Sequence, residues 1–531
     1  VSAAEPNVAR HLRAAAARIP GACAIAQQTR QGWREVSFAE LEARSDAVAR
    51  GLLAAGLAPG ELALVMVRAG IELITLTYAL FKAGVVPVLI DPGMGLRGFL
   101  RCVQRTRPSA LVGIPLAHAV SLVAPGAFGS VRTRVTVGRR LFWGGPTLAE
   151  LERLGAAGAP PLHAPAAGSP AAILFTSGST GPAKGVVYTH AHFDAQVRLL
   201  GATYGFREGD VDLAAFPLFS LFDNAFGMTS VIPDLDPSRP GSCDPARVAA
   251  AIRERGCTLA FGSPAIWRRV APWCARNGVT LPTLKRVLIA GASVPPALIE
   301  ALRGVIAEGG DVETPYGATE SLPVANVRGA EILGETAALT RGGAGTCVGR
   351  VVEGMQVRVI RIDDAPIAAW DESLVLLPGE VGEIAVKGPV VTRAYHQLPE
   401  PTAAAKIADG DGVWHRMGDL GYFDEQGRLW FCGRKSERVE TAGGTWFTDR
   451  VEGLAAADPR VGRCALVGLG PRGAQRPVLV VEGRRDDALA ADLRARIGVQ
   501  AVLFRDALPV DVRHNAKIHR LQLAAWAERR A

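Results

Sequence analysis

At 531 residues the chain is too long for a single compact core, so two or more domains are expected. Hydrophobic residues make up 49% and charged residues 21%, the balance of an ordinary soluble globular protein. The net charge of +8 comes from Lys and Arg scattered among acidic neighbours; no basic run is interleaved with aromatics, so nucleic-acid binding has no support.

The first residues, VSAAEPNVARHLRAAA, lack the apolar core of a signal peptide, and a cytoplasmic enzyme is expected. Ser37-Phe-Ala-Glu40 has capping-box spacing and opens an amphipathic helix through Ala49 and Leu53. Strand LALVMV, helix ELITLTYALFKAG and strand VVPVLID follow as one βαβ unit, which predicts an α/β architecture with a mostly parallel sheet. This stretch, 62–90, is the most apolar of the long runs, yet Arg68, Glu72 and Lys82 interrupt it, so no membrane span is expected. Residues 155–170, GAAGAPPLHAPAAGSP, read as a linker-like loop. The strand–helix pattern returns at 285–305, where LKRVLIAG precedes a helix beginning near Pro295. Between Gly345 and Gly433, short strands punctuated by Gly and Pro predict a small β-rich subdomain. The remaining residues suffice for a small α/β domain. Cysteines at 23, 102, 243, 257, 274, 347, 432 and 464 include no C-x-x-C pair, so zinc spacing is absent and most are expected as small buried hydrophobes in a reducing compartment.

The strongest chemical signal is Ile173-Leu-Phe-Thr-Ser-Gly-Ser-Thr-Gly-Pro-Ala-Lys184-Gly185, a strand entering a loop that leads into a second strand. Gly178 and Gly181 let backbone N–H groups approach an anion, and Thr176, Ser177, Ser179 and Thr180 add hydroxyl donors. Lys184 supplies the positive charge that a polyphosphate requires. A P-loop is excluded: counting from Gly178 puts Ala183 where the second glycine belongs and Gly185 where Ser or Thr belongs.

This loop resembles the phosphate-binding signature of the adenylate-forming superfamily, which includes acyl-CoA synthetases, nonribosomal-peptide adenylation domains and luciferases. Further motifs follow in the family's order over most of the chain. Tyr316-Gly-Ala-Thr-Glu320 resembles the adenine and magnesium motif, implying that Tyr316 lies near the base, Thr319 meets the α-phosphate and Glu320 holds Mg²⁺, with Thr176 as a second metal contact. Gly291, closing LKRVLIAG, is implied at the nucleotide. Gly379-Glu-Val-Gly-Glu-Ile384 and Gly388-Pro389 resemble a structural motif of the β-rich subdomain. His415-Arg-Met-Gly-Asp419 resembles the motif whose aspartate accepts from the ribose hydroxyls, and Gly433-Arg434 the hinge motif. His514-Asn-Ala-Lys517 resembles the C-terminal lysine motif, implying that Lys517 bridges substrate carboxylate and α-phosphate. The resemblance thus implies an N-terminal adenylation domain over 1–433, a hinge at 434–437 and a small mobile C-terminal domain over 438–531.

The chain departs from the superfamily at several positions, the first three of which lie where the family serves domain rotation and thioester formation. Pro217-Leu-Phe219 continues with Ser220-Leu-Phe-Asp223 instead of histidine; Ser436 and Glu440 stand at the hinge positions; Ala516 replaces a glycine and Met417 a threonine. A narrower resemblance, to the β-lactone synthetases of bacterial long-chain olefin biosynthesis, rests on Val88-Leu-Ile-Asp-Pro-Gly93, Gly113-Ile-Pro-Leu-Ala-His118, Phe261-Gly-Ser-Pro264, Glu313-Thr-Pro-Tyr-Gly-Ala-Thr-Glu320 and Trp430-Phe-Cys-Gly-Arg-Lys435. It implies ATP- and Mg²⁺-dependent activation of a 2-alkyl-3-hydroxy fatty acid, ring closure by its own 3-hydroxyl, no use of CoA, and assembly with the reductase and hydrolase-fold enzymes of that route. Phe216, Phe219, Phe222 and Gly262 are the expected acyl pocket; His118, His190 and His192 are candidates by residue type for the base. Two other readings stand beside this one: a conventional acyl-CoA or carrier-loading ligase, and a non-catalytic nucleotide-binding scaffold. The presence together of Lys184, Glu320, Asp419 and Lys517 opposes the scaffold.

Overall fold

The structure is a computed structural model that describes residues 7–158, 163–166, 168–176, 183–510 and 518–530. The capping box is present: Ser37 Oγ accepts from Glu40 N, and Glu40 Oε2 accepts from Ser37 N at 2.8 Å, at the head of the helix Phe38–Ala54. The βαβ unit follows, with Leu62–Met66 and Val86–Ile90 as parallel neighbours connected by the helix Ile71–Ala83. Gly84 ends that helix at φ 71°, a left-handed conformation from which the next residue's N–H returns to Leu80 O at 2.9 Å. Lys82, which breaks the apolar run in sequence, is wholly buried; its ammonium sits 2.7 Å from both Glu42 and Asp46 and pins this helix to the preceding one.

These strands belong to a six-stranded sheet, parallel throughout except for the final hairpin of Pro170–Thr176 with Lys184–Thr189. Successive side chains alternate between its faces: Ala63, Val65, Ala110 and Val112 join one core, and Leu64, Val88, Leu111 and Ile173 the other. Burial on both faces is why the strands read as continuous apolar runs.

The second large sheet has a parallel centre of Thr229–Ile232, Val211–Ala214, Leu259–Gly262, Arg286–Ile289 and Asp311–Ala318. The strand and helix expected at 285–305 are Arg286–Ile289 and Pro296–Arg303. Asp311–Ala318 turns back antiparallel into Ser321–Arg328, which places Thr319 and Glu320 at the turn. Strand Thr346–Val351 then serves two neighbours: Arg350 and Val351 pair with Asn326 and Ala325, while Thr346 and Cys347 pair with Phe431 and Trp430. The short strands between 345 and 433 are therefore hydrogen-bonded into the large sheet.

Residues Cys464–Leu469, Arg476–Glu482 and Ala501–Arg505 form a separate three-stranded sheet flanked by helices. Leu466, Leu479 and Val481 face one core and Ala465, Val467, Val478 and Val480 the other, so this lobe is buried on both faces. It meets the rest of the chain through ion pairs of Arg438 and Arg472 with Asp364, at 2.6 and 3.1 Å. All eight cysteines are free thiols and seven are buried. Among the described residues no helix is long and apolar enough to cross a membrane.

Candidate active site

A cavity of about 2670 Å³ is lined by residues of both large sheets and of the C-terminal lobe. The turn at Thr319-Glu320 enters it, as does Lys184 at the start of its strand, so two motifs 136 residues apart in sequence share one cleft. Glu320 Oε1 accepts from the Tyr395 hydroxyl at 2.7 Å, and the Lys184 ammonium lies 4.8 Å from the centroid of the same ring. Tyr395 thus couples the basic residue of the phosphate loop to the acidic residue implied for Mg²⁺. Sequence reasoning missed it: it lies beyond Gly388-Pro389, in a part of the β-rich stretch that carries no motif.

Lys406 was missed as well. Its side chain is buried and its ammonium makes no hydrogen bond to a described residue. Burial drives its pKa down to about 7, against the opposing pull of Glu320, and Lys184 pushes the same way as burial. His415, also buried, lines the cavity with Nδ1 3.1 Å from Ala405 O; burial and then Lys406 hold it well below the ordinary histidine range, so its imidazole is neutral.

The implied ribose end is equally built. Asp419 and Arg434 are direct cross-strand partners, and the guanidinium is 2.7 Å from Asp419 Oδ1. Tyr316, on a third strand, donates its hydroxyl to Asp419 Oδ2 at 2.7 Å. Burial and the Asp419 charge push the Tyr316 pKa up, so the hydroxyl stays a donor. Gly433, at φ 129°, lies so close to Thr448 that a Cβ would collide with its hydroxyl, and glycine here lets the strand end carrying Arg434 meet the C-terminal lobe. Gly291 lines the same cavity at φ 94°. Ser177, Gly178, Ser179, Thr180, Gly181 and Lys517, together with the Thr176 side chain, lie outside the described residues.

Phe216, Phe219, Phe222 and Gly262 all line the cavity. Phe219 stacks on Phe261 with centroids 4.1 Å apart and rings 2° from parallel. The three histidines named by residue type do not line it. His190 and His192 each accept a backbone N–H at Nδ1, from Val8 and Thr189, and burial lowers both pKa values to about 4. His118 is fully buried, with Nε2 3.1 Å from Val135 O and its ring stacked on Trp143. Thr189 and His192 make a capping box with histidine in the place of glutamate, a local role that the T-x-x-H spacing carries.

Ser220, which stands where the superfamily has histidine, is turned into the core: its Oγ is 2.6 Å from Ser230 Oγ, which is 2.7 Å from Asp223 Oδ2. Asp223 and Asp212 form a fully buried carboxyl pair beneath this turn. Burial raises Asp212 to about 7; burial and then the charge of Asp212 raise Asp223 well above the carboxylate range. The folded chain therefore holds protons that the unfolded chain has released. The associated stability is fully present below about pH 4, and is lost as the pH rises through 7. Melting temperature is expected to fall by on the order of 5 °C between pH 5 and 8, and Asp212→Asn to flatten that fall. Equal slopes for the two proteins in a thermal scan against pH would contradict protonation of this buried pair in the folded chain.

Residues 12–396 match the family model of the AMP-binding enzyme. An olefin beta-lactone synthetase of Stenotrophomonas maltophilia is 53% identical over 508 residues, covering 93% of this chain and 91% of that protein. One from Xanthomonas campestris pv. campestris is 48% identical over 510 residues, with the same coverage. Among solved structures, an amide bond synthetase from Marinactinospora thermotolerans superposes with a TM-score of 0.79 at 23% identity, covering 98% of this chain and 99% of that one. ATP-bound MatB from Rhodopseudomonas palustris gives 0.79 at 21% identity, covering 99% of each chain. These two show the same α/β fold across nearly the whole chain.

Proposed function

The chain belongs to the AMP-binding enzyme family, and from that premise we propose that it converts a 2-alkyl-3-hydroxy fatty acid and ATP into a β-lactone, AMP and pyrophosphate. One observation carries the reading: a chain about half identical throughout to two olefin beta-lactone synthetases brings Lys184, Glu320, Asp419 and Arg434 into one cavity.

Asp419, with its two oxygens set by Tyr316 and Arg434, offers acceptors to the vicinal ribose hydroxyls. Lys184 and the hydroxyl-rich loop hold the polyphosphate. The donor set suits Mg²⁺: among the described residues no cluster of three His, Cys, Asp or Glu exists, and this cation characteristically takes one or two carboxylates and completes its shell with phosphates and water. Glu320 would hold it, since no described residue hydrogen-bonds its second carboxylate oxygen. When bound, Mg²⁺ supplies charge neutralisation at the phosphates.

A substrate carboxylate oxygen attacks the α-phosphorus, the bond to the bridging oxygen of pyrophosphate breaks, and Lys517 stabilises the charge that spreads over the transferring group. The 3-hydroxyl oxygen then attacks the carbonyl of the same molecule, AMP leaves with the bonding pair, and the hydroxyl proton passes to the departing phosphate. No acceptor substrate is needed, only a bound conformer that brings oxygen to carbon and a wall that excludes water. The turn of Ser220 into the core, away from the cavity, supports closure without CoA. The enzyme acts in the cytoplasm beside the reductase and hydrolase-fold enzymes of the olefin route.

Purified protein given ATP, Mg²⁺ and the hydroxy acid is expected to release AMP and a lactone without CoA, identified by product NMR. Turnover only with CoA, giving a thioester, would replace this reading with a conventional ligase.

A further inference from the structure

Small-ligand pockets are usually about 300–1000 Å³. The cavity here, about 2670 Å³, exceeds that range because both large sheets and the C-terminal lobe border one open cleft, so the character of its lining, not its volume, tells what it holds. Beyond Lys184, Glu320 and Asp419 its lining includes two apolar sets of side chains, an aromatic and an aliphatic wall, and the turn Phe216–Phe222 contributes to both. Phe219 faces the first: it stacks on Phe261 and packs with Phe222 against Leu259 and Leu288. Leu218, the neighbouring residue, packs the opposite way, with Val67, Leu89 and Val137 against the core around Val65.

The second wall is not closed by protein. Val65 and Val67 are two residues apart, in and just beyond the strand Leu62–Met66, and with Leu89 of the neighbouring strand they belong to one core of the six-stranded sheet. Leu73 and Thr77 come from one stripe of the helix Ile71–Ala83. All of these line the cavity, as do Val137 and Leu218; Val67, Leu89 and Val137 remain only half-buried although they lie within or beside strands of the sheet, and Leu218, in the turn, is half-buried too. They give the cavity lining an aliphatic branch whose side chains pack in a different core from the aromatic ones.

We propose that this branch is a second hydrocarbon subsite, so that the two chains of the substrate part across the Phe216–Phe222 turn, one on the aromatic wall and one on the aliphatic wall. The inference rests on the two-chain substrate of the proposed function and adds where each chain goes. A 2-alkyl-3-hydroxy acid bears its chains on adjacent carbons; holding them on opposite sides of one turn fixes the rotation about the bond between those carbons. That rotation decides whether the 3-hydroxyl faces the activated carbonyl, so parting the chains orients the closing step.

The test is a crossover between chain length and wall. Val67→Phe and Val137→Phe, at two points of the aliphatic branch, and Phe222→Trp, on the aromatic wall, are assayed by ATP-dependent pyrophosphate release. Four acids serve: both chains long, each chain long alone, and both short. Both valine variants are expected to lower kcat/KM roughly 10-fold or more when one particular chain is long, and to recover when that chain alone is shortened. Phe222→Trp is expected to respond to the other chain. Rescue of all three variants by shortening the same chain, or valine variants indifferent to chain length, would overturn the proposal. A folding defect would depress all four acids alike in one variant, and the second valine variant decides that case. Because pyrophosphate leaves before the ring closes, a thioester product would overturn the lactone reading while the crossover pattern stood.

Discussion

Exchanging Glu320 for glutamine is expected to slow acyl-adenylate formation by roughly 100- to 1000-fold, measured as pyrophosphate release at fixed Mg²⁺, with part of the loss recovered at higher Mg²⁺. The substitution is chosen because the amide oxygen still accepts from the Tyr395 hydroxyl, so the hydrogen bond that ties the turn to the phosphate side survives. What disappears is one negative charge. That charge has two dependants: the Mg²⁺ that Glu320 would hold, which would offset the charge of the phosphates, and Lys406, whose buried ammonium is favoured by Glu320 and donates to no described residue. Removing Glu320 leaves Lys406 beside Lys184 with less to hold its proton, so the local field loses both its anchor for Mg²⁺ and part of its positive charge near neutral pH. An unchanged rate at ordinary Mg²⁺ concentrations would take this carboxylate out of phosphoryl transfer.

The elements legible in the sequence are those whose cause is local. Ser37 and Glu40 announce a helix start because a capping box is closed within four residues. The run from 62 to 90 announces a parallel unit because strands buried on both faces must be apolar throughout. The phosphate loop and the Tyr316–Glu320 turn were legible as motifs because each concentrates its chemistry in a few consecutive residues. Tyr395 and Lys406 were not, since each is brought to a residue remote in sequence: Tyr395 bridges to Val186 and hydrogen-bonds Glu320, and Lys406, in a local hairpin opposite His415, feels the charge of Glu320. Nothing in TRAYHQ or AAKIAD signals that the side chains will meet Glu320. Histidine chemistry misled for the opposite reason. Residue type nominated His190 and His192, but their first commitment is to helix-start N–H groups, which fixes their neutral form inside the core. The aliphatic branch is illegible in the same way, because Val67, Leu89 and Val137 read as ordinary strand residues until the sheet brings them to one wall.

Lys517→Ala is expected to bring the largest loss, a fall in acyl-adenylate formation of at least about 1000-fold, with ATP binding nearly unchanged. The lysine lies outside the described residues, and residues 518–530, which follow it, are described. Ile518 and Arg520 both line the cavity. Ile518 bridges to Val510, and Arg520 is held by Glu437 at 2.8 Å, by Glu452 at 2.6 Å and by the Leu466 carbonyl at 3.0 Å. Those contacts spend the positive charge of Arg520 on the lobe itself, so it is not available to the reacting phosphorus. Lys184 and Arg434 are engaged at the Tyr395 ring and at Asp419, on either side of the turn that carries Thr319. The C-terminal lysine motif that His514–Lys517 resembles makes Lys517 the cation proposed for the transferring group, and its value is greatest where charge develops between carboxylate and α-phosphate, not in the ground state. Hence the loss should fall on kcat and spare nucleotide affinity. Supplying the acyl-adenylate ready-made separates the two halves of the reaction: the Lys517→Ala protein should still close it to lactone within about 10-fold of wild type, because closure transfers no phosphoryl group. Equal loss in both halves would mean that Lys517 acts on ring closure too, and no loss in the first would remove it from the mechanism.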